Sequence, residues 1–195
     1  MEYVNRKTGM VLVIEQDDDP ESPREWDTLG KMVCFHKRYN LGDEHDLNSV
    51  DFGTWDDMET HLYEKMGACL VLPLYLYDHS GITISTAPFS CPWDSGQIGF
   101  IYATKDEMKK DFGKIPISDA MKAMEKILNS EVELYDLYLC GEVYRYTMFK
   151  VQTCDLGYEH RISMDSCWGF YGSDPEENGI FDQAEVDISE WEEVG

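Results

Sequence analysis

Basic residues are scarce in this chain. Only 16 Lys and Arg stand against 39 Asp and Glu in 195 residues, a formal charge of −23. A reader of the nucleic-acid backbone needs a cationic footprint, whereas a surface this acidic repels polyanions, so direct nucleic-acid binding by the protein as a whole is not expected. The same field argues against anionic membrane surfaces. Long apolar runs are missing too: no stretch reaches the roughly 18 residues a membrane span requires. The opening Met1-Glu2-Tyr3-Val4-Asn5-Arg6 lacks the apolar core of a signal peptide. The expectation is a cytoplasmic protein with no membrane partner.

Cofactor and metal motifs are equally thin. There is no Cys-x-x-Cys and no His-x-x-x-His, which leaves a structural zinc site without support. Gly96-Gln97-Ile98-Gly99 lacks the Gly-Lys-Ser/Thr ending of a phosphate-cradling loop. The acidic loops Asp43-Glu44-His45-Asp46 and Asp174-Pro175-Glu176-Glu177-Asn178-Gly179 offer oxygen ligands for a hard cation, yet neither fits the calcium loop of 12 residues. No cofactor and no metal site is expected. Cys34, Cys69, Cys91, Cys140, Cys154 and Cys167 are widely spaced and mostly set among apolar neighbours, which predicts buried, reduced thiols.

What is present is enough apolar matter for a core: 43% hydrophobic and 13% aromatic residues. Three helices are marked by their ends as well as by their period. Thr54-Trp55-Asp56-Asp57 has the form of a capping box, followed by Met58, Leu62 and Met66 and stopped by Gly67. Thr104-Lys105-Asp106-Glu107 is a second box, with Met108 and Phe112 on one face and Gly113 as terminator. From a cap at Ser118, the stripe Met121, Met124, Leu128, Val132, Tyr135 and Leu139 predicts a long amphipathic helix ending at Gly141.

Runs rich in β-branched and aromatic residues predict strands at Met10–Glu15, Lys31–His36, Cys69–Tyr77, Ile82–Thr86, Gln97–Thr104, Glu142–Gln152 and Glu159–Ser166. Asp78-His79-Ser80-Gly81 and Cys154-Asp155-Leu156-Gly157 read as hairpin turns, and Pro73 marks an edge or a bulge. Strands and helices come in groups rather than in alternation. The reading is therefore an α+β single domain over 1–195, mainly antiparallel sheet with two short helices and one long one, carrying an acidic C-terminal segment at 173–195.

The acid is concentrated in blocks. From Tyr39 to Glu64 there are Asp43, Glu44, Asp46, Asp51, Asp56, Asp57, Glu59 and Glu64, with no Lys or Arg. After Arg161 come Asp165, Asp174, Glu176, Glu177, Asp182, Glu185, Asp187, Glu190, Glu192 and Glu193, again with no basic residue. A third cluster, Glu15 to Asp27, is relieved only by Arg24. Such runs often serve as a solvated face, but self-repulsion at this charge opposes compactness, and solubility needs a net charge of magnitude only about 2–8. Duplex DNA carries one charge per ~1.7 Å of axis, so a charge of −23 matches roughly 40 Å of duplex. A chain of this length is about 40 Å across.

The resulting expectation is a partner-binding surface in which the carboxylates from Asp43 to Glu59 and from Asp174 to Glu193 stand in for phosphates. The interleaved aromatics Trp55, Trp168, Phe181 and Trp191 would serve as apolar anchors beside them, Trp55 and Trp191 first among them. Two alternatives remain open. One is a small enzyme using Cys91 as nucleophile with His79 as base and Asp94 nearby. The other is an accessory domain whose acidity is incidental.

Two segments carry a resemblance. Leu74-Tyr75-Leu76-Tyr77-Asp78-His79-Ser80-Gly81 running on through Pro88-Phe89-Ser90-Cys91-Pro92-Trp93-Asp94-Ser95-Gly96-Gln97, together with Asp165-Ser166-Cys167-Trp168-Gly169-Phe170-Tyr171-Gly172, resembles a family of acidic proteins carried by bacteriophages and other mobile elements. That family brings no established catalytic residues. The resemblance implies a phage-borne protein in the host cytoplasm, similar in kind to anti-restriction and anti-CRISPR proteins that imitate DNA. The partner it implies is a basic DNA-binding protein of the host, a CRISPR effector nuclease or a restriction enzyme.

Overall fold

The computed structural model describes residues 1–194. The fold is α+β, and every strand pairing is antiparallel. In chain order the elements are β1 (Glu2–Asn5), β2 (Met10–Gln16), β3 (Lys31–Cys34), α1 (Trp55–Glu64), β4 (Ala68–Asp78), β5 (Ile82–Ser85), β6 (Ser95–Thr104), α2 (Lys105–Phe112), α3 (Ile117–Leu139), β7 (Val143–Thr153), β8 (Glu159–Tyr171), α4 (Ile180–Gln183) and β9 (Glu192–Glu193). The chain divides into two compact units: Ser22–Cys140, and Met1–Glu21 with the chain from Gly141 onward.

In the unit Ser22–Cys140 the sheet order is β3-β6-β4-β5. The stripe Met124, Leu128, Val132 and Tyr135 of α3 packs with Met32, Leu74, Leu76 and Ile101. Met58 and Leu62 of α1 pack with Val33, Val71, Phe100 and Tyr102 in a second cluster. Alternate residues of β6 thus enter different clusters, which is why Ile98 to Ala103 are all buried, an apolar run rather than an alternation. Each fully buried aliphatic side chain there contributes about 1.5–3 kcal/mol.

The caps form as their spacing predicts at Thr54 and Thr104, where the Thr104 box is complete: Glu107 N–H donates to Thr104 Oγ1 and Glu107 accepts from Thr104 N–H. Ser118 does not cap α3. Pro116 holds that position, and its carbonyl accepts the Asp119 and Ala120 N–H groups, so Ser118 already lies inside the first turn. Pro73 sits in a strand with neighbours on both sides, but β5 pairs only with Tyr75–Asp78, so the missing N–H falls where β4 has β6 alone; a register shift follows at Leu74/Tyr75. The outer edge of β5 is closed by α3 side chains, with Ile84 N–H donating to Asp136 and Cys140 Sγ donating to Ile82 O.

In the other unit the order is β8-β7-β2-β1-β9. Leu12 and Ile14 of β2 face Met148 and Tyr146 of β7 and form a core with Tyr3, Ile180, Phe181 and Ala184. β8 is a 13-residue edge strand interrupted by two register shifts, and Gly169, at φ +83°, donates its N–H to Asp17. Bulges of this kind discourage edge-to-edge association.

Four buried tyrosines, Tyr3, Tyr102, Tyr135 and Tyr146, have their phenols pushed up, first of all by burial; Tyr146 also donates to the Asp165 carboxylate at 2.7 Å. A phenol raised in the folded state leaves stability intact below its unfolded value near 10 and removes it as pH rises beyond that. The fold is expected to fail progressively above pH about 10, with tyrosinate absorbance from these four appearing only as far-UV dichroism is lost. Ionisation of all 12 tyrosines near pH 10 with dichroism intact would contradict this.

Of the six cysteines only Cys34 is buried; Cys140 is exposed and the other four are half-buried, a correction to the expected burial. The reason is position: Cys140 caps α3, Cys154 starts a turn and Cys167 lies on the edge strand. Burial pushes the Cys34 thiol up to about 12. In a native alkylation time course Cys34 is expected to stay unmodified until global unfolding; early labelling at Cys34 would show that its core opens locally.

Candidate functional site

The C-terminal acids are carried on a strap whose apolar residues face inward. Ile180, Phe181 and Ala184 are buried in the core, and Val186, Ile188 and Trp191 pack partly against it. Between them Asp174, Glu176, Glu177, Asp182, Glu185, Asp187, Glu190, Glu192 and Glu193 are all exposed. The interleaving of apolar and acidic residues thus turns a highly charged tail into a fixed surface.

Some of these carboxylates do local work. Asp174 accepts the Glu176 N–H at 2.9 Å, and Asp187 accepts from Ser189 N–H and Oγ, which holds its carboxyl below the usual range. Glu192 pairs with Arg6 at 2.7 Å and Glu190 with Lys7 at 3.5 Å, both well exposed and therefore weak. Among the described residues Glu176, Glu177, Asp182, Glu185 and Glu193 make no ion pair. After burial, the charges that raise the Tyr3 phenol are those of Glu193, Glu176 and Asp174. Trp191 points into the core cluster.

The Tyr39–Glu64 block belongs to the other unit and is less uniform. Glu44, Asp46, Asp51, Asp56 and Asp57 are exposed, and Glu59 is half-buried. Asp56 and Asp57 occupy the first turn of α1, where negative charge is favoured by the helix dipole, and Asp57 N–H donates to the Thr54 hydroxyl. Trp55 packs edge-on against Phe100 at 5.8 Å between ring centroids.

Asp43 is turned inward. Its two oxygens take Arg24 Nε at 2.7 Å and an Arg24 terminal nitrogen at 2.8 Å, and one of them also accepts the Met32 N–H. Arg24, with 5% of its side chain exposed, further pairs with Glu131 at 3.3 Å and donates to Gly30 O. Glu131 in turn accepts the Leu29 and Gly30 N–H groups; burial pushes its carboxyl up, and these bonds and Arg24 offset that. No local spacing marks this triad as a unit, because Arg24 and Glu131 lie 107 residues apart. The available signal was that Arg24 is the lone cation in its acidic cluster.

The Cys91, His79 and Asp94 side chains do come together, but in the wrong order for a nucleophilic thiol. One oxygen of Asp94 lies 3.2 Å from His79 Nδ1 and 3.9 Å from Cys91 Sγ. The carboxylate, not the imidazole, is the neighbour the thiol meets, whereas an activated thiolate needs a base or a cation beside it. Among the described residues no group of three or more His, Cys, Asp or Glu is placed to hold a metal ion, the two acidic loops included. No helix there is long and apolar enough to cross a membrane.

No protein family, curated protein or solved structure matches the chain.

Proposed function

We propose that this protein is a binding protein, not an enzyme, and that its C-terminal strap occupies the cationic nucleic-acid groove of a host defence nuclease, carboxylates standing where phosphates would lie. Supporting this reading is the strap itself: nine exposed carboxylates on an anchored segment, seven of them without an ion pair among the described residues. Because the segment is fixed by its buried face, little ordering entropy is lost on binding, in contrast to a disordered acidic tail. Complementary fields would also speed encounter. The phage context of the resembling family makes a CRISPR effector nuclease the first target class and a restriction enzyme the second.

The test is displacement of a labelled duplex from such nucleases, followed by fluorescence anisotropy. Displacement is expected at low salt, with the affinity of the chain for the nuclease dropping about 10³-fold between 50 and 200 mM salt if some six charges are engaged. Glu176→Lys, Glu177→Lys and Asp182→Lys together reverse exposed charges whose side chains make no ion pair among the described residues, and they should abolish displacement while leaving far-UV dichroism intact. Salt-independent binding, or a triple variant as potent as the parent, would refute the reading.

A further inference from the structure

The segment 74–97 lies outside the strap and lines a cleft of about 580 Å³ in the unit Ser22–Cys140. The buried side chains of Leu76 and Ile98 line it together with Trp93, the cations Lys37 and Arg38, and the carboxylates Asp78 and Asp94. Trp93 is 91% exposed, more than any other large hydrophobic side chain described. It is nevertheless not on a loose loop. Ser95 Oγ donates to Cys91 O at 2.6 Å, Asp78 N–H donates to Asp94 O at 2.8 Å, and the Asp94 carboxylate meets His79. Fastened on both sides, the loop holds an indole in water, which costs hydrophobic free energy unless a flat partner covers it.

The same cleft carries a cationic pair in a molecule poor in cations. His36 Nδ1 accepts the Arg38 and Tyr39 N–H groups, fixing the turn that carries Lys37 and Arg38. Arg38 is held by Asp78 and lies over the Tyr39 ring, while Lys37 makes no ion pair among the described residues. The geometry points to a site for a nucleoside monophosphate, its base stacked on Trp93 and its phosphate met by Lys37 and Arg38. A π face beside an unpaired lysine and an arginine shared with Asp78 suits an aromatic anion, and the cleft volume lies within the range of small-molecule sites. The assignment is independent of the anionic strap, which lies in the other unit.

The test is intrinsic fluorescence and calorimetric titration of the full chain with GMP and AMP, alongside guanosine and inorganic phosphate. Saturable quenching by a nucleotide is expected, absent in Trp93→Phe. Affinity should fall about tenfold for Lys37→Glu, which removes one charged contact, and by more than that when guanosine replaces GMP, which removes both. Three outcomes would each overturn the assignment: no saturable response at millimolar nucleotide, equal quenching in Trp93→Phe, or guanosine binding as tightly as GMP. Lys37 is exposed, so its variant tests the ligand contact rather than folding.

Discussion

Replacing Arg24 by methionine is expected to destabilise the unit Ser22–Cys140 by about 3–5 kcal/mol, the usual cost of removing one partner from a buried ionic cluster. The guanidinium is 5% exposed and is shared by Asp43, Glu131 and the Gly30 carbonyl. Methionine fills much of the volume but leaves two carboxylates facing each other with no cation between them. The pH dependence has a definite sign. Burial already pushes the Glu131 carboxyl up, and without Arg24 it rises further. A carboxyl raised in the folded state supports stability below its unfolded value and loses it as pH rises. The variant should therefore be closer to the parent at pH 5 than at pH 7, in urea unfolding followed by hydrogen exchange of β3 and β6 amides. A loss under 1 kcal/mol at pH 7 would show that the cluster is dispensable.

Gly99→Ala should be at least as damaging. A Cβ at Gly99 would lie 1.8 Å from the Val33 carbonyl oxygen and 2.9 Å from its carbon, both backbone atoms of the neighbouring strand. No rotamer change relieves a collision with backbone, so β3 must leave its register with β6, where Val33 faces Phe100 and Cys34 faces Gly99. Ordinary overpacking costs about 1–3 kcal/mol, and this case belongs at or above the upper end. Gly96→Ala in the same strand is the matched control: nothing lies within 4 Å of its Cβ, and little change is expected. Comparable midpoints for the two variants would mean that the β3–β6 approach is looser than described.

The two substitutions also mark where sequence reading reaches its limit. The boxes at Thr54 and Thr104 and the stripe from Met124 to Tyr135 are visible in sequence because a cap or a helical face involves residues three or four apart. The same holds for the turns at Asp78 and Cys154, whose donors and acceptors are close neighbours in the chain. β1 and β9 escaped notice for the opposite reason. They are four and two residues long, and Val4 meets Glu192 only after nearly the whole chain has intervened. Arg24 reaches Glu131 across 107 residues, which no local pattern announces.

The acidic surface divides along the same line. That nine carboxylates of the strap point outward follows from their interleaving with Ile180, Phe181, Ala184, Val186, Ile188 and Trp191, a pattern written in the chain and enforced by the cost of burying charge. Which carboxylates are free was decided by folding alone. Asp43 and Asp46 are alike in sequence, yet the first is consumed by Arg24 and the second is left to solvent. Likewise Trp55 packs on Phe100, whereas Trp93, equally apolar, stands in water over a cleft. Periodicity and caps operate over a few residues and survive any global arrangement. The partner of a charge or an indole depends on closing loops of tens to hundreds of residues, and only the packed chain resolves that choice.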